Sequence, residues 1–285
     1  MKYLKYLVIG LFSALTLQGC GGSSKDDPDI PIPSGETVDV SFVTEVMTKS
    51  VTTELNDEQT MNVFAKEYNT LSSNDMQTNI KATRKGGTWI PAPAIKLTKA
   101  QKTFLYAVHP YDAANVDPTA VPVQVQSQTD YLYSGAGVAV TFNTHTGKLT
   151  MKHALSMLSF NISLNGYEGK GELQEVTVNG EEYFTAGTLN IETGQIKGTT
   201  AGTYKKATSQ TITEEGWTEK LPEFFCIPFV SKGSNVAVTM QVDGKNYAVF
   251  IPEMKIEQGM KYIFRLALSS HGLTLFADQT EKISL

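Results

Sequence analysis

The chain is 285 residues long, with 24 basic and 29 acidic side chains and a formal net charge of −5. No basic run interrupts this acidic balance, which argues against a nucleic-acid partner. The cysteines number two, Cys20 and Cys226. Cys20 is accounted for below, which leaves Cys226 no internal disulfide partner, so stability must come from core burial.

The chain opens with Lys2 and Lys5, an apolar run from Tyr6 to Leu15, and then Leu17-Gln18-Gly19-Cys20. A basic start, a short apolar region and small residues before a cut describe a secretory leader over residues 1–19, too short for a membrane span. The end of this leader resembles a lipobox, in which Cys20 is acylated and becomes the mature N-terminus, with Gln18 a looser fit. Each buried acyl methylene contributes about 0.8 kcal/mol, so several chains anchor firmly. Loss of the leader removes Lys2 and Lys5 and no acid, making the remainder two charges more negative. Residues 20–36 are rich in Gly, Ser, Asp and Pro and read as a flexible acidic tether.

After the tether about 250 residues remain, enough for one large or two modest domains. Val38, Val40 and Phe42 alternate within a strand predicted over Thr37–Met47, and Thr48-Lys49-Ser50 follows it. Asp57–Tyr68 could hold a helical turn. Thr103–His109 and the Val121, Val123, Val125 series are strands, the second pushed toward a sheet edge by Pro122. Val138, Val140 and Phe142 form another strand before the turn residues Asn143–Gly147. From Leu149 to Met157 the apolar residues are odd-numbered, and from Leu158 to Leu164 they are even. A strand keeps one face buried through such a phase flip only by bulging or breaking.

Further on, Leu173–Val178 is predicted to end at Asn179-Gly180, and Thr188–Ile191 at Thr193-Gly194. Phe224–Val230 reads as a central strand interrupted at Pro228. The clearest hairpin is Val236–Val242, the turn Asp243-Gly244, and Tyr247–Ile251. Met260–Leu268 is one more strand. In the tail, Leu273, Leu275, Ala277, Ile283 and Leu285 fall on one strand face, interrupted by Gln279 and Glu281. Many short strands with turn punctuation predict an all-β fold of two tandem β-sandwich domains, over residues 37–148 and 149–285.

No catalytic constellation emerges, and the chain reads as a non-enzyme without cofactor or metal. His109, His145, His153 and His271 lack zinc spacing. Gly166, Gly169 and Gly171 do not match a nucleotide fingerprint. His153, on an apolar face, reads as a hydrogen-bonded structural histidine. Asp112 and Asp117 flank a loop that holds either calcium or an ordinary polar turn. Trp89 and Trp217 occupy candidate loop positions, where they serve as sugar platforms or as packing residues. Cys226 reads as an inert buried thiol.

Asp130-Tyr131-Leu132, a polar turn, and Met151-Lys-His-Ala-Leu-Ser-Met-Leu-Ser-Phe160 together resemble the fimbrillin family of Bacteroidetes surface lipoproteins, subunits of type V pili. The resemblance implies two transthyretin-like β-sandwich domains and a structural role as a stalk or accessory subunit supporting cell adhesion. It also implies export to the cell surface and outer membrane as a lipoprotein acylated at Cys20. The Lys25-Asp26-Asp27 run resembles the surface-export signal of such lipoproteins, and equally reads as a plain linker. In the family a protease of trypsin-like specificity removes the first strand. Lys49 and Ser50 stand where the family shows Thr-Arg and a small residue. Arg84 and Lys85, read as an accessible Lys-Gly-Gly loop, are the fallback. The implied partners are copies of this chain or related pilus subunits, one of which would receive the tail (Leu273, Leu275, Ala277, Ile283, Leu285) as a donor strand. A surface glycan-binding lipoprotein and a pilus tip adhesin are the alternative readings.

Overall fold

The computed structural model describes residues 35–47, 55–214 and 222–285. Among these every regular element is a strand. The expected first strand is two: β1 (Thr37–Asp39) and β2 (Ser41–Val46), broken at Val40. Next comes β3 (Thr60–Lys66), an extended segment where a helical turn was expected. Six of its seven residues are buried, on both faces, which erases the period-two signal that would have marked it as a strand. β4 (Asp75–Lys85), β5 (Thr88–Ala92), β6 (Lys96–Thr98) and β7 (Lys102–His109) follow. β8 (Val121–Gln124), β9 (Leu132–Tyr133), β10 (Val138–Thr141) and β11 (Thr146–His153) complete the first half.

Eight of these strands form one sheet in the order β10-β7-β3-β4-β5-β2-β11-β9, and a further β7–β9 pairing closes the ladder on itself. Inside lies a core that includes Phe42, Met61, Val63, Trp89, Leu105, Leu149 and Met151.

The phase flip at Leu158 has a structural cause. β11 ends at His153, Ala154-Leu155 interrupts, and β12 (Ser156–Leu164) resumes in a different sheet. β13 (Glu172–Leu189) and β14 (Ile196–Thr211) form a long antiparallel hairpin. The stop expected at Asn179-Gly180 is instead a register shift between Asn179 and Phe184, and the strand runs on. A Cβ on Gly180 would fall 2.1 Å from the Asn235 carbonyl, so the glycine serves close backbone approach there. Pro228 divides β15 (Phe224–Cys226) from β16 (Phe229–Ser231), which join different sheets. β15 is an edge strand beside β12, not the central strand expected.

β17 (Val236–Val242) and β18 (Lys245–Phe250) make the expected hairpin, with φ of 48° at Asp243 and 75° at Gly244, as a tight primed turn requires. β19 (Met254–Ile256) pairs with β16, while β20 (Met260–Ser269) and β21 (Gly272–Ser284) form the last hairpin. The sheet β15-β12-β20-β21 faces the sheet β14-β13-β17-β18, to which β8 adds through β13 as an edge strand carrying Pro122. Phe160, Ile162, Phe264 and Leu266 from one sheet pack with Val176, Val178, Val238 and Met240 from the other in a second core. Each such side chain contributes about 1.5–3 kcal/mol on burial. Phe64, Tyr106 and Val108 belong to this second core, whereas their neighbours Val63, Ala65, Leu105 and Ala107 belong to the first. β3 and β7 therefore form the wall between the two cores.

Candidate assembly elements at the two ends of the chain

β2 lies between β11 and β5. It runs parallel to β11 from Ser41↔Thr146 to Val46↔Met151 and, among the described residues, meets β5 only at Phe42 opposite Trp89. Val40, Phe42, Thr44 and Val46 are buried, while Ser41, Val43 and Glu45 alternate outward. The Phe42 and Trp89 rings stack with centroids 6.0 Å apart and planes 4° from parallel. The Trp89 indole Nε1 donates to Thr44 Oγ1 at 2.9 Å, and both groups are buried. On the outer face Glu45 meets Lys148 at 2.7 Å and accepts from Thr150 at 3.0 Å. These donors, Lys148 first, hold the Glu45 carboxyl below its usual range. β1 is fastened separately, antiparallel to β6, with Asp39–Lys96 and Glu36–Lys99 pairs at 3.0 and 2.7 Å.

The sequence showed the strand of this cluster but not the contacts that seat it. Trp89 sits in β5, fully buried, rather than in a loop, and its partner Thr44 is 45 residues away. The alternation of Val38, Val40 and Phe42 was its only sequence signal.

At the other end, β21 is the edge strand of its sheet and, among the described residues, pairs with β20 alone. Leu273 and Leu275 lie opposite Leu268 and Leu266 and pack on the second core. A register shift between Ile263 and Arg265 leaves Ala277–Thr280 without direct partners, and pairing resumes at Glu281↔Ile263. Ile283 therefore lies opposite Lys261, on the outer face. The five apolar tail positions do not share a face, because the bulge turns the strand over. The distal part is held by polar contacts: Lys282 with Glu257, Arg265 with Glu281 at 2.6 Å, and Lys282 over the Tyr262 ring at 5.8 Å.

Cys20, Lys49, Ser50 and Trp217 lie outside the described residues. Arg84 does not occupy an accessible loop. It belongs to β4, is 8% exposed, and places Nη1 2.9 Å from Asp57 Oδ1. Its N–H donates to the Gln59 carbonyl and its own carbonyl accepts from Glu58 N–H. Lys85, the last residue of β4, is exposed. The Gly87 and Gly86 N–H groups, with the Arg84 guanidinium beside them, hold the Asp57 carboxyl below its usual range.

The remaining candidates are structural in their surroundings. His153 Nδ1 lies 3.0 Å from Asp130 Oδ1, joining two parts of the central motif. Asp112 accepts from Ala114 N–H, and Asp117 from the N–H and hydroxyl of Thr119, so both carboxylates cap local turns. Burial pushes the Cys226 thiol far above its ordinary range.

Solved structures share this fold at low identity. A candidate cell adhesion protein of Bacteroides uniformis superposes with a TM-score of 0.64 at 16% identity, over 86% of this chain and 97% of that one. A candidate cell adhesion protein of Bacteroides ovatus gives 0.64 at 14% identity, over 88% and 99%. A fimbrial protein of Bacteroides vulgatus gives 0.59 at 12% identity, over 86% and 99%. No curated protein matches in sequence. The model of the fimbrillin-like family matches residues 48–282, bearing out the resemblance carried by the central motif, and the chain belongs to that family.

Proposed function

We propose that this chain is a structural subunit, stalk or accessory, of a cell-surface pilus that supports adhesion. It is exported as a lipoprotein anchored in the outer membrane through Cys20. A trypsin-like protease then cuts after Lys49 and removes β1 and β2. The slot left behind accepts an extended segment from a neighbouring subunit, and the distal part of β21 is donated to another.

The observation that carries this reading is the seating of β2. It is a short strand seated between β11, to which it runs parallel, and β5, to which it is antiparallel, and its Phe42, Thr44 and Val46, with Val40 just before it, are buried on the side of the first core. Its loss opens an apolar groove flanked by unpaired backbone, a state that is costly until another strand fills it. The family match supports the reading further, because it begins at residue 48, just beyond this strand. A segment that is shed at maturation is under little demand to resemble its relatives. β21 suits donation because it lies at a sheet edge and its distal part is attached by exposed ion pairs.

Mass spectrometry of the surface-exposed form tests the maturation steps, with an expected N-terminus at Ser50. An intact, acylated Cys20 terminus on polymerised protein would overturn strand removal. Cys20→Ala should abolish fatty-acid labelling, and a mutant labelled normally would refute the anchor. Deleting residues 277–285 should yield folded protein that does not enter filaments, and filaments of normal length would overturn tail donation.

A further inference from the structure

The slot occupied by β2 is chemically selective. We propose that it accepts a segment reading apolar-x-Ser/Thr-x-apolar from a different subunit, rather than the tail of a second copy of this chain. The inference rests on the strand-replacement reading above and adds the chemistry of the incoming strand.

The selecting group is the Trp89 indole N–H. It is fully buried in β5 and donates to Thr44 Oγ1 at 2.9 Å. Once β2 leaves, any strand that covers Trp89 without an acceptor at the Thr44 position strands a buried donor. Two residues to either side, Phe42 and Val46 are buried, and Phe42 lies flat against the same indole. Successive inward residues of a strand are two apart. The requirement is therefore an acceptor flanked at both i−2 and i+2 by apolar side chains, whichever way the strand runs.

No position in β21 meets this requirement. The hydroxyl of Thr274 is flanked by Gly272 and Phe276, that of Thr280 by Asp278 and Lys282, and Ser284 has Lys282 on one side. The amide acceptor of Gln279 has Ala277 and Glu281 as its neighbours at two residues. The carboxylates fail too: Asp278 lies between Phe276 and Thr280, and Glu281 between Gln279 and Ile283. With the tail running in the direction of β2, a register that brings Leu273 or Leu275 to the Phe42 position puts Leu275 or Ala277 over the indole N–H, and the reversed register that brings His271 there leaves Ser269 where an apolar side chain is required. A copy of this chain is thus a poor donor to itself, and the slot fits a heterologous subunit whose strand carries the hydroxyl.

The test uses the full chain with a site-specific protease sequence inserted between Met47 and Leu55, cut after folding. Three fluorescein-labelled peptides compete for the slot: Val40–Val46, the same peptide with Thr44→Val, and the tail Leu273–Leu285. Anisotropy should show uptake of the Val40–Val46 peptide, the valine analogue weaker by about tenfold or more, and no uptake of the tail. Trp89→Phe, which removes the donor, should bring the first two peptides to within about threefold of each other. Equal binding of the threonine and valine peptides to the unaltered chain would overturn the selectivity. Tail binding comparable to the Val40–Val46 peptide would overturn the heterologous partner. Failure of the Val40–Val46 peptide itself to enter would instead refute strand replacement, and the proposal with it.

Discussion

Ile283 on β21 lies opposite Lys261 on β20, facing away from the second core, although the same strand began with Leu275 opposite Leu266 on the core side. The bulge between them divides the last strand into an inner part that packs and an outer part that does not. Leu275→Ala should therefore cost about 1–2 kcal/mol, whereas Ile283→Ala should stay within about 0.5 kcal/mol. Urea titrations of the two variants check this. Equal costs would mean that the outer part is packed as firmly as the inner.

The Thr44–Trp89 bond gives a second, separable expectation. Thr44→Val keeps shape but removes the acceptor, and should destabilise by about 1–3 kcal/mol by orphaning a buried N–H. In a Trp89→Phe background the same change should cost much less, since no donor remains. A double-mutant cycle by chemical denaturation reads the coupling directly. Additive effects would show that the bond contributes little to holding β2.

Elements whose geometry is set locally were readable in advance. The β17–β18 hairpin followed from Asp243-Gly244, because the turn it makes needs positive φ at both residues. An interruption near the middle of the chain followed from the parity change between Met157 and Leu158, and the chain breaks a little earlier, at Ala154-Leu155, where it passes from one sheet to another. What failed depended on distant neighbours. β3 lost its alternation because a core lies on each side of it, and Asn179-Gly180 looked like a turn because a glycine permits close approach as well as reversal. Trp89 gave no hint of its place, for nothing near it in sequence announces Phe42 or Thr44. The tail's apparent single face was a pattern that one bulge cancelled.

Cys226 in β15 is fully buried, and its thiol is pushed far above its ordinary range by the loss of hydration for the thiolate. The thiolate is the reactive form, so the folded protein should resist Ellman's reagent through about pH 9 and react promptly in guanidinium. Stoichiometric reaction of the native protein would place this strand in exchange with an open form. Cys226→Ala should preserve the fold better than Cys226→Ser, which buries a hydroxyl in an apolar site. Thermal unfolding of the pair decides the order.

Asp243 also sets a pH dependence. Its carboxylate accepts from the N–H groups of Glu172 and Gly171 and from the Tyr167 hydroxyl, at 3.0, 3.0 and 2.9 Å, tying the loop before β13 to the β17–β18 turn. These donors, the Glu172 N–H foremost, lower its pKa from the ordinary 3.8. A depressed folded-state value means that the ionised carboxylate favours the folded chain. The stabilisation is complete above the unfolded value and disappears as pH falls below it through the folded value. Asp57 is lowered in the same sense by Gly87 and Gly86, so two loops weaken over one acidic window. Asp243→Asn should melt at a lower temperature than the parent chain at pH 7. The gap should shrink below about pH 4 and close once the parent carboxyl is protonated in both states. Calorimetric scans of both proteins at stepped pH test this, and a gap that persists unchanged at pH 2 would show that the aspartate acts through packing of its loop rather than through its charge.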